Sequence, residues 1–466
     1  MKKYLILLII GSFLLSGCES STTFDKSSVV AEITLYRKYD GLSQDLFKEY
    51  INEFNKEYPN IKVNSEIGSE VIENVADTVI SKENKPDIVI GNKVECAKLV
   101  EESFACDITS LIDDKVHGLD KEDFFSWYLE SGQTYVKKGT YSLPYSNNSF
   151  VMYWNEDLLK GLDLSSFDSS INKGNPIDEG YIDNLTWEEL FNKLCPALKR
   201  YNDSLSESEK ILKGEVNSFV SLDYEEDLFI NLAKQYGSGY LSFKEGNLSC
   251  DFNNTKMKDV LKTFNDAYKK GYFLSKGKTG MYSNRSFTNH NSLFAISLNS
   301  SYKMFSNSSF NVSVSRLPYK EGGNEEVYNF DSSFVFIDNK DENKLLASYL
   351  FYKFLFDKDN EINVLNNTIS TPCRKSTYKS QAYLDCCDIS SKKDRSPEIL
   401  LAKKMKLDSV ISEEKFNTIS YSKATSVEPI IKNLFISAAY EENLTDEKLN
   451  SLFDVSIDSI SKIENL

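Results

Sequence analysis

Residues 32–41 read EITLYRKYDG and residues 86–92 read PDIVIGN, and what joins these two stretches decides the fold class. In the first, Ile33 and Leu35 alternate with polar neighbours before Lys38-Tyr39-Asp40-Gly41, the pattern of a strand running into a glycine turn. In the second, Pro86-Asp87 introduces Ile88-Val89-Ile90 and then Gly91, a short unbroken apolar run of the kind buried on both faces of a parallel sheet. Between them Ser43 can cap a helix with Asp45 in its first turn. Leu46, Tyr50, Ile51, Phe54 and Tyr58 recur at three- and four-residue steps on one face, and Pro59 stops the helix. Ile61, Val63, Ser65 and Ile67 mark a second strand, and Val71 to Ile80 a second helix. Strand, helix, strand, helix, strand predicts an α/β sheet. Ligands of open α/β sheets sit beyond the C-terminal ends of the strands. Here those ends carry Tyr39-Asp40 and Gly91-Asn92.

Further along, Thr140 to Asn155 joins two strand-like runs through the polar middle Ser146-Asn147-Asn148-Ser149. Thr186-Trp187-Glu188-Glu189 is a capping box opening a helix. Met257 to Tyr268 is amphipathic and closes at Gly271. Phe294 to Leu298 reads as a strand leading into Asn299-Ser300-Ser301-Tyr302. Val312 to Pro318 alternates, Phe334 to Ile337 is an apolar strand, and Asn343 to Phe356 is a strongly apolar helix. The tail is mostly helical in pattern.

The N-terminus has Lys2 and Lys3, then the apolar run Tyr4 to Phe13, then Leu15-Ser16-Gly17-Cys18. That order describes a secretory signal peptide. The run is too short to span a bilayer, which takes ~20 apolar residues. Leu-Ser-Gly-Cys resembles the lipobox of bacterial lipoproteins. The resemblance implies cleavage before Cys18, acylation of Cys18 (palmitate-type chains) and an extracytoplasmic, membrane-anchored protein. Residues 1–17 are then the signal peptide, and residues 18–31, polar and Ser/Thr-rich, the lipid-anchored tether.

The 466 residues carry a formal net charge of −16, with 41% hydrophobic and 13% aromatic residues. Such a chain builds large cores over two or three domains. Its acidity disfavours nucleic acid and anionic head groups, so the membrane tie falls to the lipid. Eight cysteines less Cys18 leave an odd number, and no CxxC occurs. Cys96 and Cys106 read either as a pair or as two buried thiols, adjacent Cys386 and Cys387 are poorly placed to bridge each other, and no disulfide framework is expected.

The ordered set of motifs resembles the family 1 extracellular solute-binding proteins, the sugar-type receptors of ABC importers. It comprises the lipobox, Phe54 to Val63, Pro86 to Val89, Asp107 to Ile112, Leu143-Pro144-Tyr145 followed by Met152 to Leu159, Leu185 to Leu190, Leu317-Pro318-Tyr319, Asn343 to Phe356 and Ser370 to Ser376. The chain departs from the family at Trp154, in the longer stretch Leu162 to Asp183, and in the scarcity of glycine around Phe330-Asp331-Ser332-Ser333. The resemblance implies an α/β, two-lobed periplasmic-binding-protein-like fold with a crossover hinge. Lobe 1 is expected over residues 32–147 and 296–369, lobe 2 over residues 148–295 and 370–466. A small solute, a carbohydrate or polyol, would be trapped in the cleft by hinge closure and passed to the permease subunits of an ABC importer.

A sugar needs aromatic faces for its carbons and Asn, Asp, Ser or Arg groups for its hydroxyls. Strand ends and crossovers supply Tyr39, Asp40, Asn92, Tyr145, Asn147, Asn148, Ser300, Ser301, Tyr302, Asp331, Ser332 and Arg374 as ligand-binding residues. Each tyrosine has core packing as its alternative, each Asn and Ser turn chemistry. Arg374 meets an anionic ligand, such as a phosphorylated polyol, or forms a surface ion pair. Trp187, just after its helix cap, reads as packing rather than a stacking platform. Catalysis finds little support: His117 and His290 are far apart, and HExxH and GxSxG are missing. Gly271 and Gly277-Lys278-Thr279 have five residues between the glycines where a phosphate loop has four. No metal-ligand spacing occurs, so no metal or cofactor is expected. A surface glycoside hydrolase with two opposed carboxylates and an adhesive lipoprotein with an empty cleft are the alternatives.

Overall fold

A computed structural model describes residues 26–37, 44–68, 75–244, 247–306, 308–357, 359–362, 372–382 and 415–464. Two five-stranded sheets organise them. The first contains β1 (Ala31–Arg37), β2 (Ile61–Ile67), β3 (Ile88–Asn92), β4 (Ser142–Asn148) and β13 (Phe330–Phe336), in the order β2-β1-β3-β13-β4. Pairing is parallel from β2 through β1 to β3, while β13 runs antiparallel to both β3 and β4. The second contains β5 (Phe150–Asn155), β6 (Val220–Leu222), β9 (Phe273–Ser275), β10 (Phe294–Leu298) and β11 (Val312–Arg316), in the order β11-β5-β10-β6-β9. Two short ribbons complete the set. One pairs β7 (Leu241–Lys244) with β8 (Asn247–Cys250), the other β12 (Val327–Tyr328) with β14 (Lys415–Phe416).

The centre of the first sheet is buried on both faces, as its unbroken apolar strand β3 predicts, while the edge strand β2 leaves Lys62 and Glu66 exposed. Ile88 and Ile90 pack with Phe47, Phe54, Phe334 and Phe351 on one side, and Val89 with Val75, Val79 and Val100 on the other. The helix Gln44–Glu57 presents its apolar stripe there: Phe54 lies edge-on to Phe351 at 5.0 Å. Such ring pairs add ~1 kcal/mol beyond the area they bury. The helix expected over residues 71–80 is described as Val75–Ser81. In the second half, Thr186 caps its helix through a 3.0 Å bond from the Glu189 N–H. Trp187 is 1% exposed and donates Nε1–H to Gln235 Oε1 at 2.8 Å, so it packs as read.

Strand pairing moves the expected lobe boundaries. The return to the first half, expected at residue 296, comes later: β10 pairs with β5 and β6, and β11 with β5, all in the second sheet. The chain re-enters the first sheet only with β13. Residues after 370 do not join the second half at once. Cys373 O accepts from Phe125 N at 3.2 Å and Ser376 N donates to Asp123 at 2.7 Å, which ties this segment to the first half. The helix Ala424–Ala439 then packs in the second half.

Among the described residues Cys96, Cys106, Cys195, Cys250 and Cys373 form no disulfide with one another, so the pairing of Cys96 with Cys106 is not formed. Cys18, Cys386 and Cys387 lie outside the described residues. No helix among the described residues is long and apolar enough to cross a membrane.

Candidate functional site

Ring contacts among Phe150, Tyr224 and Phe330 join strand ends of the two sheets along one seam. On the first side β3 ends in Asn92, whose side chain accepts from Val94 N at 2.8 Å and starts the helix Lys93–Glu101. Strand β13 sets Ser332 opposite both Asn92 and Ser146, Asp331 opposite Asn147, and Phe330 opposite Asn148. On the second side Asp223 and Tyr224 follow β6, and the helix Glu225–Gln235 comes next. Asp223 is buried and accepts from Ser283 N (2.8 Å), Ser283 Oγ (2.5 Å) and Ser297 Oγ (3.2 Å). Burial lifts its pKa above the usual carboxylate range despite those three donors. Tyr224 adopts a left-handed backbone, φ 59°, a conformation uncommon outside glycine.

Aromatic rings bridge the halves. Phe150, the first residue past the β4–β5 crossing, lies 6.5 Å from Tyr224 and 5.5 Å from Phe330 by ring centroids. Phe330 meets Tyr328 at 4.6 Å, and Tyr328 meets Phe416 at 5.7 Å. Tyr224, Tyr328 and Phe330 are half-buried, leaving part of each ring exposed. The β12–β14 ribbon laces two crossing segments. Asn329 N donates to Phe416 O at 2.9 Å, Asn329 Nδ2 to Asn417 Oδ1 at 3.1 Å, and Asn417 Nδ2 to Trp127 O at 2.7 Å. Buried Asn231 fixes the other edge by accepting from Tyr328 N at 2.9 Å.

Carboxylates line the same seam. The helix Ala424–Ala439 packs on both Glu225–Gln235 and Lys93–Glu101. Its Lys432 Nζ lies 3.2 Å from Glu225 and 3.3 Å from Glu226. Burial works against the charge of Glu225, but hydrogen bonds from Ser275 and Gly277 N and the Lys432 ammonium hold its pKa below the usual range. Burial, then the Glu226 and Glu95 carboxylates, push Glu428 up to about 7. Burial, Glu226 and Glu428 raise Asp227 well above a normal carboxyl. Gly277 is explained by close approach: a Cβ there would lie 2.3 Å from Ile436 Cδ1 and 2.5 Å from Glu225 Oε1.

The strand-end residues Asn92, Asn147, Asn148, Asp331 and Ser332 come together on the first side. Ser300 is exposed, and Ser301 is half-buried and accepts from Ser297 Oγ at 3.4 Å. Tyr39 and Asp40 lie outside the described residues. Two tyrosines pack in the cores and Arg374 forms an ion pair, the alternatives given for each. Tyr145 is 2% exposed and edge-on to Phe356 at 6.1 Å in the first core. Tyr302 is buried and stacked on Tyr153 at 6.0 Å. Arg374 binds Asp123 at 3.1 Å and Phe356 O at 2.7 Å, with its guanidinium 4.3 Å over Phe124. Asn147 is also buried and donates to Cys373 Sγ at 2.8 Å. Sequence reasoning missed Glu95, Tyr224, Glu226, Asp227, Tyr328, Glu428 and Lys432. The signal for Tyr224 to Asp227 was the strand-end rule applied at Asn92, since these residues follow the short strand Val220–Leu222. A separate groove of about 600 Å³, lined by Asn172, Asp178, Tyr181, Glu188, Glu189 and Lys193 among others, shares no residue with the seam.

Residues 49–385 match the model of a family described as bacterial extracellular solute-binding protein. A curated relative, the arabinooligosaccharide-binding protein of Bacillus subtilis (strain 168), is 23% identical over 265 residues, covering 55% of this chain and 52% of the relative. The match thus spans about half the length of that relative. Among solved structures, the cyclic alpha-maltosyl-1,6-maltose binding protein from Arthrobacter globiformis aligns with a TM-score of 0.70 at 15% identity, covering 93% of this chain and 99% of the other. The sugar-binding protein MalE from Xanthomonas citri aligns at 0.70 and 14% identity, covering 93% and 98%. UgpB from Mycobacterium tuberculosis, solved with glycerophosphocholine, aligns at 0.65 and 15% identity, covering 93% and 99%. These likenesses establish the periplasmic-binding-protein-like α/β fold over nearly the whole described chain.

Proposed function

We propose that this chain, which belongs to the bacterial extracellular solute-binding protein family, takes up a carbohydrate in the seam between its two sheets and hands it to an ABC importer. Family membership makes it an extracytoplasmic binding protein rather than an enzyme. The observation that carries the carbohydrate reading is the seam itself: partly exposed tyrosine and phenylalanine faces beside asparagine, serine and carboxylate groups from both sheets. Rings cover sugar carbons and the polar groups pair with hydroxyls. The relative named for arabinooligosaccharides and the structural neighbours named for maltose-type sugars support the same ligand class.

In this reading one lobe is built on the first sheet and the other on the second. They rotate about the β4–β5 crossing and the β12–β14 ribbon. Asn92, Asn148, Ser332 and Glu95 serve from the first lobe, and Tyr224, Asp227, Tyr328, Glu428 and Lys432 from the second and its crossing. The acylated Cys18 holds the receptor at the membrane beside the permease, and the sugar leaves chemically unchanged.

A thermal-shift screen of the mature chain against arabino- and malto-oligosaccharides tests this. A ligand at a hundred times its Kd adds ~2.7 kcal/mol of stability. Stabilisation by one sugar class, with the sugar recovered intact, is the expected result. Hydrolysis of the sugar, or no shift with any member, refutes the proposal. Globomycin-sensitive processing and loss of membrane attachment in Cys18→Ser test the anchor separately.

A further inference from the structure

The second sheet brings three parallel strand ends to one edge, because β6 pairs in parallel with both β9 and β10. Asp223 and Tyr224 follow β6, Lys276 follows β9, and Ser297 is the last residue but one of β10. Ligands of α/β sheets collect beyond such ends. Asp223, 4% exposed, ties this edge together. It accepts from Ser297 Oγ in β10 and from the N–H and hydroxyl of Ser283, the first residue of the helix Ser283–Thr288.

Tyr282, just before Ser283, is thereby carried on an anchored backbone. At 47% exposure it is nevertheless the most exposed aromatic residue among the described ones. Lys276 Nζ lies 3.6 Å from the centroid of its ring and covers one face, which leaves the other for a guest. Burial, then the Asp223 carboxylate and the Tyr282 side chain, push the Tyr224 phenol up to about 12, so the two tyrosines are neighbours. Tyr224 meets Phe150 at 6.5 Å, and Phe150 meets Phe330 at 5.5 Å. The aromatic surface of the seam therefore continues from Phe330 past Tyr224 to Tyr282.

A ring held in place with a bare face is a stacking surface whose ordering cost is already met in the fold. The carbon face of a sugar ring suits it. With Phe150 and Tyr224 between them, Phe330 and Tyr282 form separate platforms, and a guest of several units gains a face for more than one of them.

We propose that Tyr282, backed by Lys276, is an outer stacking platform of the seam and a specificity-determining residue that makes the receptor select sugar chains against monosaccharides. The inference rests on the carbohydrate-receptor reading above and adds a length to its ligand.

The test is calorimetric titration of the mature chain, of Tyr282→Ala and of Tyr282→Phe with arabinose, arabinobiose and arabinotriose, and with glucose, maltose and maltotriose. The exposure of Tyr282 makes both substitutions tolerable to the fold. Wild type is expected to bind the trimer of one series about tenfold or more tighter than its monosaccharide, or to bind the trimer and not the monosaccharide. Tyr282→Ala is expected to weaken the trimer about fivefold or more, while Tyr282→Phe, which keeps the ring, stays within about twofold of wild type. A monosaccharide bound as tightly as its trimer overturns the inference and leaves the receptor reading standing. So does a trimer affinity that Tyr282→Ala leaves unchanged, or a loss in Tyr282→Phe as large as that in Tyr282→Ala. Failure of every sugar to bind overturns both.

Discussion

Glu361 offers a quantitative trial of how the segment around Cys373 is held. It is 1% exposed, accepts from Cys373 N at 2.6 Å and is hydrogen-bonded to the Thr377 hydroxyl. Burial raises its pKa from 4.5 to about 7, against the pull of Thr377 and the Cys373 N–H. The folded value therefore lies above the unfolded one, and the folded chain holds a proton that the unfolded chain releases. That stability is fully present at low pH and is lost as pH rises through about 7. At about 1.4 kcal/mol per pH unit of difference, the full loss is ~3 kcal/mol. Glu361→Gln is the clean perturbation. Its amide oxygen keeps the bond from Cys373 N, its NH2 group donates to Thr377, and it does not ionise. Urea unfolding of both proteins from pH 5 to pH 8.5 isolates this group, because every other titration is common to the two. The variant is expected to gain ~2–3 kcal/mol on wild type across that range, chiefly from pH 5 to 7. Parallel stability curves refute the assignment of a buried, proton-bearing carboxyl at this tie.

Other perturbations follow the same logic. Trp187→Phe removes the partner of Gln235 Oε1 inside the second core and is expected to cost ~1–3 kcal/mol in urea unfolding, whereas Trp187→Phe with Gln235→Leu should recover part of it. Gly277→Ala drives a methyl into Ile436 and Glu225, so a loss of ~1–3 kcal/mol is expected, with weaker sugar binding because Glu225 and Lys432 shift. Tyr145→Ala is expected to cost ~3–5 kcal/mol as a core truncation while leaving the Kd of the folded fraction unchanged. A Kd raised tenfold would return Tyr145 to the seam.

The α/β alternation was legible because burial on both faces leaves a mark that few other arrangements leave. Ile88-Val89-Ile90 divides its side chains between two cores, as an unbroken apolar strand must. Which sheet a later strand joins was not legible. Phe294–Leu298 is equally apolar in either half, and only its neighbours Phe150–Asn155 and Val220–Leu222 decide. The three-residue β6 is too short for periodicity to reveal, and with it went Tyr224 to Asp227. Tyr145 could have been placed better: two residues from Leu143 in a strand, it shares Leu143's core-facing side. Glu95, Glu226 and Glu428 lie on three helices far apart in the chain, and no spacing rule brings them together.

The lacing of Asn329 to Phe416 and Asn417 has a mechanical corollary. Two strands that could each swivel separately are bound edge to edge, so twisting one drags the other. On the reading proposed above, the β4–β5 passage is a third support, and the halves are expected to turn about one axis rather than shear or splay.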